Sequence, residues 1–261
     1  MWSLTPRLAD KAAADAPPPL LLPVPGRAST TYSVGRKNTD ILLASKGVSK
    51  SHAEFSIGSD GALLVRDCGS SFGTMINKLK VEGEPRPLAE GDTLSFSASI
   101  KYDVHRTPPL VVCSSQVSKA EKKVLKDACD KLGAELVANW RADVTHLVMS
   151  SVSWTPKFLV AIASVVPVVS PQWLARAAAR ASPTEPLPSV DEPSLAPKPS
   201  EVAETSQLRL PPHVERRRPE RAKLLAEHKF VHVPSAGGAA QEDMRELLRL
   251  MGAALGEWPA G

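Results

Sequence analysis

Cysteine, aromatic residues, net charge and long apolar runs are all scarce in this chain of 261 residues. The three cysteines, Cys68, Cys113 and Cys129, stand 45 and 16 positions apart, with no Cys-x-x-Cys pair and no matching histidine cluster. That spacing argues against zinc and against a disulfide framework, and predicts reduced thiols inside a cell. Aromatics make up 5% of the chain, and the net charge is only +4, with most positives close to a negative in sequence. Such a balance does not demand nucleic-acid affinity. The first 25 residues contain Leu20-Leu21-Leu22, but prolines 17, 18, 19, 23 and 25 flank it. Neither a signal peptide nor a membrane-spanning helix is expected. There is also no Gly-x-x-x-x-Gly-Lys-Ser/Thr loop and no ligase-type lysine motif, so nothing here predicts nucleotide chemistry.

Proline, by contrast, is plentiful and uneven: of 24, 6 lie in residues 1–30 and 9 in residues 182–220. The 182–220 stretch is not expected to form regular structure, and the 1–30 stretch is expected to be a loop inserted between short strand-like pieces at Trp2–Leu4 and Leu20–Leu22. Between them, from Thr31 to Tyr102, short strand-like runs such as Ala53–Ile57, Ala62–Val65 and Ile100–Val104 alternate with turn residues at Gly35, Asp60-Gly61, Gly69, Gly83 and Gly91-Asp92. Many short strands at near-regular spacing predict a β-sandwich.

After Pro108-Pro109 the pattern becomes alternation of strand and helix. Leu110–Cys113 reads as a strand. Ser118 with Glu121 three residues later forms a capping box, and Val124, Leu125, Ala128, Cys129 and Leu132 give the helix an apolar face that Gly133 closes. Thr155-Pro156 and Ser170-Pro171 start two more helices, and Val165–Val169 reads as a strand between them. Near the end, Phe230–Val233 reads as a strand and Met244, Leu247, Leu248 and Met251 as a helix face closed by Gly252. This repeats the opening of the middle region and stops after about its first third, so the chain is expected to be a fragment or a truncated product.

Three clusters carry the chemistry: Gly35-Arg36; Ser49-Lys50-Ser51-His52; and Asp67 through Thr74 with Asn77. All fall between strands, where loops at one end of a sandwich converge. An arginine, a lysine and several hydroxyls suit a phosphate dianion. A Ser51/His52/Asp67 hydrolase is disfavoured, because adjacent Ser and His on an extended chain point to opposite faces. The ordered motifs Gly-Arg, Ser-x-x-His and Asp-x-x-Ser-x-x-Gly-Thr resemble the forkhead-associated (FHA) family of phosphothreonine-binding domains. The resemblance implies an FHA domain over 1–107, with Arg36, Ser49, Lys50, Ser70 and Ser71 as phosphothreonine-binding residues. It implies structural roles for Gly35, His52, Gly73, Thr74 and Asn77. Phe72 departs from the family, standing where many members have an asparagine that binds peptide backbone.

Residues 108–181, with "KLGAE", "THLVM" and "VVSPQWL", resemble a BRCT repeat. That implies an α/β domain in which Ser114 or Ser115, at a strand end, and Lys157, on the second helix, bind phosphoserine. Gly133 and the buried Trp173 would be structural. The expected architecture is therefore multidomain: the all-β FHA sandwich, the BRCT domain, a Pro-rich linker over 182–223 and the truncated start of a second BRCT over 224–261. This order, with "VGRKN" at 34–38, "CSS" at 113–115 and "DEPS" at 191–194, resembles an adaptor family of double-strand-break repair. The resemblance implies a non-catalytic, nuclear, phosphoprotein-binding adaptor in repair and checkpoint signalling, with no cofactor or metal. Its partners would be phosphothreonine- and phosphoserine-containing checkpoint and repair proteins. A nuclease–ATPase repair complex would be reached through family segments outside these residues. No membrane is involved and direct DNA binding is not expected. The alternatives are the targeting region of a DNA end-processing enzyme whose catalytic part is absent, and a nucleic-acid scaffold using Arg216–Arg218, Arg221 and Lys223.

Overall fold

The computed structural model describes residues 1–7, 17–23, 30–198, 226–232, 244–245, 247–249 and 251–257. It divides into two compact units. The first comprises residues 1–109 with 130–133 and 178–187; the second comprises 110–129, 134–177 and the described part of 188–261.

The first unit is a sandwich of two sheets. One is built from β1 (Trp2–Pro6), β2 (Leu20–Leu22), β7 (Met75–Ile76), β8 (Leu79–Lys80), β10 (Thr93–Ser95) and β11 (Lys101–Arg106), in the order β2-β1-β11-β10-β7-β8. The other contains β3 (Thr30–Gly35), β4 (Ile41–Leu42), β5 (Ala53–Ile57), β6 (Leu63–Asp67) and β9 (Arg86–Leu88), in the order β4-β3-β5-β6-β9. Alternation decides which side chains enter the core. In β5, Ala53, Phe55 and Ile57 are buried while Glu54 and Ser56 are not, and Phe55 lies opposite Val65 of β6. The core gathers Trp2, Leu4, Leu20 and Leu22 with Phe55, Phe96 and Tyr102. Phe96 makes edge-on contacts with Phe55, Tyr102 and His52.

The second unit has a parallel sheet, β13-β12-β14-β15, from β12 (Val111–Ser115), β13 (Glu135–Val137), β14 (His146–Met149) and β15 (Val168–Val169). Its crossovers are α1 (Lys119–Leu132) and α2 (Pro156–Ala163), and α3 (Pro171–Ala178) follows β15. Parallel strands are covered on both faces, which is why Val111–Cys113 of β12 and Leu147–Met149 of β14 are consecutive buried apolar residues. The capping box of α1 is present: Glu121 N–H donates to Ser118 Oγ at 3.2 Å, and Ser118 N–H to Glu121 Oε2 at 2.7 Å. Gly133 ends the helix at φ +60°, and the Ala134 N–H returns to the Cys129 carbonyl.

Two expectations change. Val124 is 49% exposed, because α1 offers the sheet only the stripe of Leu125, Ala128, Cys129 and Leu132. The strand expected from Val165 begins at Val168, since Val165 takes a positive φ of 62° and Pro167 has no N–H to give a ladder. Apart from a 3-10 turn at Pro193–Leu195, residues 188–198 are irregular but attached: Pro188 accepts from the Trp173 indole at 3.0 Å, Leu195 is buried, and Lys198 bridges Ser151. Further on, β16 (Lys229–His232) pairs in parallel with β17 (Ala254–Glu257), with helical residues at 244–245 and 247–249 between them. The second strand of that unit went unread in the sequence. The Arg216–Arg218, Arg221 and Lys223 cluster lies outside the described residues. Among the described residues no helix is long and apolar enough to cross a membrane, and no group of His, Cys, Asp and Glu is placed to hold a metal.

Candidate functional site

Three loops of the sandwich meet at one end, and their backbones are tied together. The β3–β4 loop carries Arg36, whose N–H donates to the Ser49 carbonyl at 2.9 Å. The β4–β5 loop carries Ser49 and Lys50. The β6–β7 loop carries Ser70 and Ser71, and the Ser71 N–H donates to Ser49 Oγ at 3.1 Å. Ser49 is thus the knot: its carbonyl holds one loop and its hydroxyl oxygen another. The Ser49 O–H proton stays available, because that oxygen serves Ser71 as an acceptor. Arg36 and Lys50 are exposed, and among the described residues neither side chain is engaged in an ion pair.

The residues around the knot explain its shape. Gly35 is buried where a Cβ would collide with the Lys50 carbonyl oxygen, so only glycine lets β3 pass this close to the Ser49–Lys50 turn. His52 is fully buried, and its Nδ1 accepts the Ser49 N–H at 3.1 Å. An accepting Nδ1 is unprotonated, which fixes the neutral tautomer with the proton on Nε2. Burial pushes the His52 pKa below its ordinary value, while Asp67 and the Gly73 carbonyl pull the other way. A hydrolase arrangement is absent: Ser51 is exposed, and the His52 nitrogen nearest this turn is occupied by the Ser49 amide.

Asp67 organises the third loop. Its carboxylate accepts from the N–H groups of Gly69 and Ser70, each at 2.9 Å, and from the hydroxyls of Ser70 and Thr74, each at 2.7 Å. Burial raises its pKa, but the bonds from Thr74, Ser70 and Gly69 outweigh that and hold the carboxyl below the usual range. Ser70 Oγ also accepts from the Gly73 N–H at 2.9 Å, so its one proton is engaged by Asp67 and its role is internal to the loop. Gly73 adopts φ +87°, a conformation that disfavours any side chain. Asn77 (φ +51°) ties the turn after β7 to Asp92 and to the Thr93 N–H. Phe72, 41% exposed, is presented between the anchored amides of Ser71 and Gly73.

In the second unit, the end of β12 meets the start of α2. Ser115 Oγ lies 3.1 Å from the hydroxyl of Thr155, the N-cap of α2, which also accepts from the Phe158 N–H. Lys157 Nζ donates to the carbonyls of Ser114 at 3.1 Å and Ala138 at 2.6 Å. Two of its three N–H bonds are used, and one remains for an anion. Neighbouring strand residues face opposite sides, so Ser115 brings its hydroxyl to this cluster and Ser114 brings its carbonyl. Thr155 was legible in the sequence only as a helix cap, and its hydroxyl completes the group. Trp173 is buried, as its place on α3 predicted, with its ring stacked on His146 at a centroid distance of 4.5 Å.

Comparison with known proteins agrees with this division. The FHA domain family matches residues 32–97, and the twin BRCT domain family matches residues 110–173. Nibrin of Gallus gallus is 33% identical over 214 residues, which is 75% of this chain and 27% of that protein. The chain therefore spans about a quarter of the length of such relatives. The fold of S. pombe Nbs1 FHA-BRCT1-BRCT2 superposes with a TM-score of 0.62 at 15% identity, covering all of this chain and 83% of the other. The same yeast protein in an Nbs1-Ctp1 complex gives a TM-score of 0.59 at 16% identity, over all of this chain and 80% of that one. An FHA sandwich, a BRCT domain after it and the opening of a second BRCT, in a sequence a third identical to nibrin where the two align, make this chain similar to the FHA–BRCT region of nibrin.

Proposed function

We propose that the chain is a phosphopeptide-binding adaptor, reading phosphothreonine with its FHA loops and phosphoserine with its BRCT domain. The observation that carries this reading is the knot at Ser49. It ties together the loops that carry Arg36, Ser49, Lys50 and Ser71, and Arg36, Lys50 and Ser71 are exposed there. A phosphate dianion takes several short charge-assisted bonds at once, and Arg36 offers the planar fork that matches two of its oxygens. Ser70 shapes the loop from within. In the BRCT domain, Ser115, Thr155 and the third N–H of Lys157 form a smaller cradle beside the first turn of α2.

Affinity rests on a few charge-assisted bonds over little buried area, so it is modest and salt-sensitive. The likeness to nibrin, and the fission-yeast relative's complex with Ctp1, support a role as a nuclear adaptor of double-strand-break repair and checkpoint signalling. In that role it binds phosphorylated partners and performs no catalysis itself, while a nuclease–ATPase complex is reached through family segments outside these residues. The test is calorimetric titration of phosphorylated and unphosphorylated versions of a Ser-Asp-Thr-Asp peptide. Phosphate-dependent binding that is lost in Arg36→Ala is expected. Equal binding of both peptides, or no loss on substitution, overturns the FHA half of the reading. Phosphoserine binding unchanged in Lys157→Met overturns the BRCT half.

A further inference from the structure

The segment 180–185 runs along the open edges of the FHA sandwich. Pro183 is buried, and its carbonyl accepts the N–H of Leu21 in β2, the outermost strand of one sheet. Ser182 Oγ donates to the carbonyl of Asp40 at 2.5 Å, beside β4, the outermost strand of the other. Asp40 in turn accepts from the N–H and hydroxyl of Ser33 at 2.8 and 2.6 Å, and closes the loop that carries Arg36. Ser182 therefore anchors a strap whose far end is the Arg36 loop.

Ser182 is followed by Pro183, the pairing that proline-directed kinases read; Ser182 is half-buried and Pro183 buried, so a kinase takes the pair when the strap opens locally from the sheet edges. Of the other hydroxyl–proline pairs in the described residues, Thr5 is in β1, Thr155 caps α2, Ser170 is buried, and Thr107 is held through both its N–H and its hydroxyl by the Met1 carbonyl, away from the Arg36 loop. We propose that Ser182 is a phosphorylation site whose modification releases this strap and loosens the Arg36 loop. In the transfer, Ser182 Oγ forms a bond to the γ-phosphorus of a nucleoside triphosphate, the bond from that phosphorus to the bridging oxygen breaks, the diphosphate leaves, and the hydroxyl proton goes to the kinase's base. A phosphoester oxygen has no proton to donate. The bonds that Ser182 Oγ accepts from the N–H and hydroxyl of Thr184, at 3.2 and 3.0 Å, survive, but the bond to Asp40 is lost. In its place a dianion meets the Asp40 backbone carbonyl that the hydroxyl had bonded, on a residue whose carboxylate Ser33 holds in its charged form. Arg180 is the nearest cation in sequence, and it already donates to the Glu185 carbonyl within the strap.

The test uses the full chain, treated with a proline-directed kinase and ATP, with the modified residue mapped by fragmentation mass spectrometry and Ser182→Ala as the control. Incorporation at Ser182 is expected, with hydrogen exchange over 20–22 and 33–41 faster by roughly tenfold, the factor that a loss of about 1.4 kcal/mol implies. Phosphothreonine-peptide affinity should fall several-fold. No incorporation at Ser182, or incorporation with unchanged or slower exchange, overturns the proposal; slower exchange would show Arg180 recruiting the phosphate. If the unmodified chain binds no phosphothreonine peptide, the FHA reading fails while the exchange result still decides this one.

Discussion

Replacing Asp67 with alanine removes the acceptor on which the whole β6–β7 loop converges. Four donors lose it: two backbone N–H groups and the hydroxyls of Ser70 and Thr74. The Gly69 and Ser70 amides lie near solvent and water can satisfy them, but Thr74 is fully buried and its hydroxyl is orphaned. A hydrogen bond to a charged acceptor is worth roughly 1.5–3 kcal/mol, and a stranded buried donor costs about 1–3. Counting the Thr74 bond in full and the others as largely resolvated gives a loss of about 2–4 kcal/mol. For a domain of this size, that is a fall of roughly 10–25 °C in the FHA melting transition. The assay is urea and thermal unfolding of the full chain, wild type against Asp67→Ala, with Asp67→Asn expected between them because its amide oxygen still serves some of the donors. The pH dependence supplies the sign. The folded carboxyl lies below its ordinary value of 3.8, so as pH falls the unfolded chain takes up its proton first, and the wild-type advantage fades across that acid window. A destabilisation under about 0.5 kcal/mol, or a difference that persists undiminished well below that window, would refute the reasoning.

Gly35→Ala should cost about 1–3 kcal/mol and weaken phosphothreonine binding, since the added methyl meets the Lys50 carbonyl; unfolding and peptide titration check both. The buried His52 acts with the same sign at milder pH. Its folded pKa is below 6.5, so FHA stability is whole above that pH and declines as pH falls past it, when the unfolded histidine is protonated and the folded one is not. Denaturant unfolding at pH 7.5 and 5.5 should show the loss, and His52→Gln should flatten it. Lys157→Met should abolish phosphoserine binding while lowering stability by no more than about 1–2 kcal/mol, the worth of its two carbonyl bonds, measured by titration and unfolding. Trp173→Phe keeps most of the apolar volume but drops the bond to Pro188, at a cost of about 1 kcal/mol that frees 188–198 to faster hydrogen exchange.

What the sequence made legible is what short-range chemistry encodes. Ser118 and Glu121 announce their helix because a capping box is complete within four residues. The loop motifs are readable for the same reason: Asp67 bonds to groups at most seven residues away, and Gly35, Ser49 and His52 interlock within a short span of chain. The short strands β8 and β9 carried no periodicity to read, and β17 is a strand only by virtue of its partner β16. The choice between Ser114 and Ser115 depends on strand phase, which a boundary error of one residue inverts. Proline content foretold that 182–198 is irregular, but where its carbonyls dock is a long-range fact: Leu21 and Pro183 are remote in sequence, and neither advertises the other.

Lys157 makes one further point. A lysine loses up to roughly 2 kcal/mol of rotamer freedom when it is fixed in place. With Nζ already held by the carbonyls of Ser114 and Ala138, that loss falls on the folding of the BRCT domain and not on any later encounter. The ammonium is a fixed charge at the mouth of α2, so an arriving anion is selected by whether it fits that point, and a longer or shorter acidic group gains nothing from the side chain's reach.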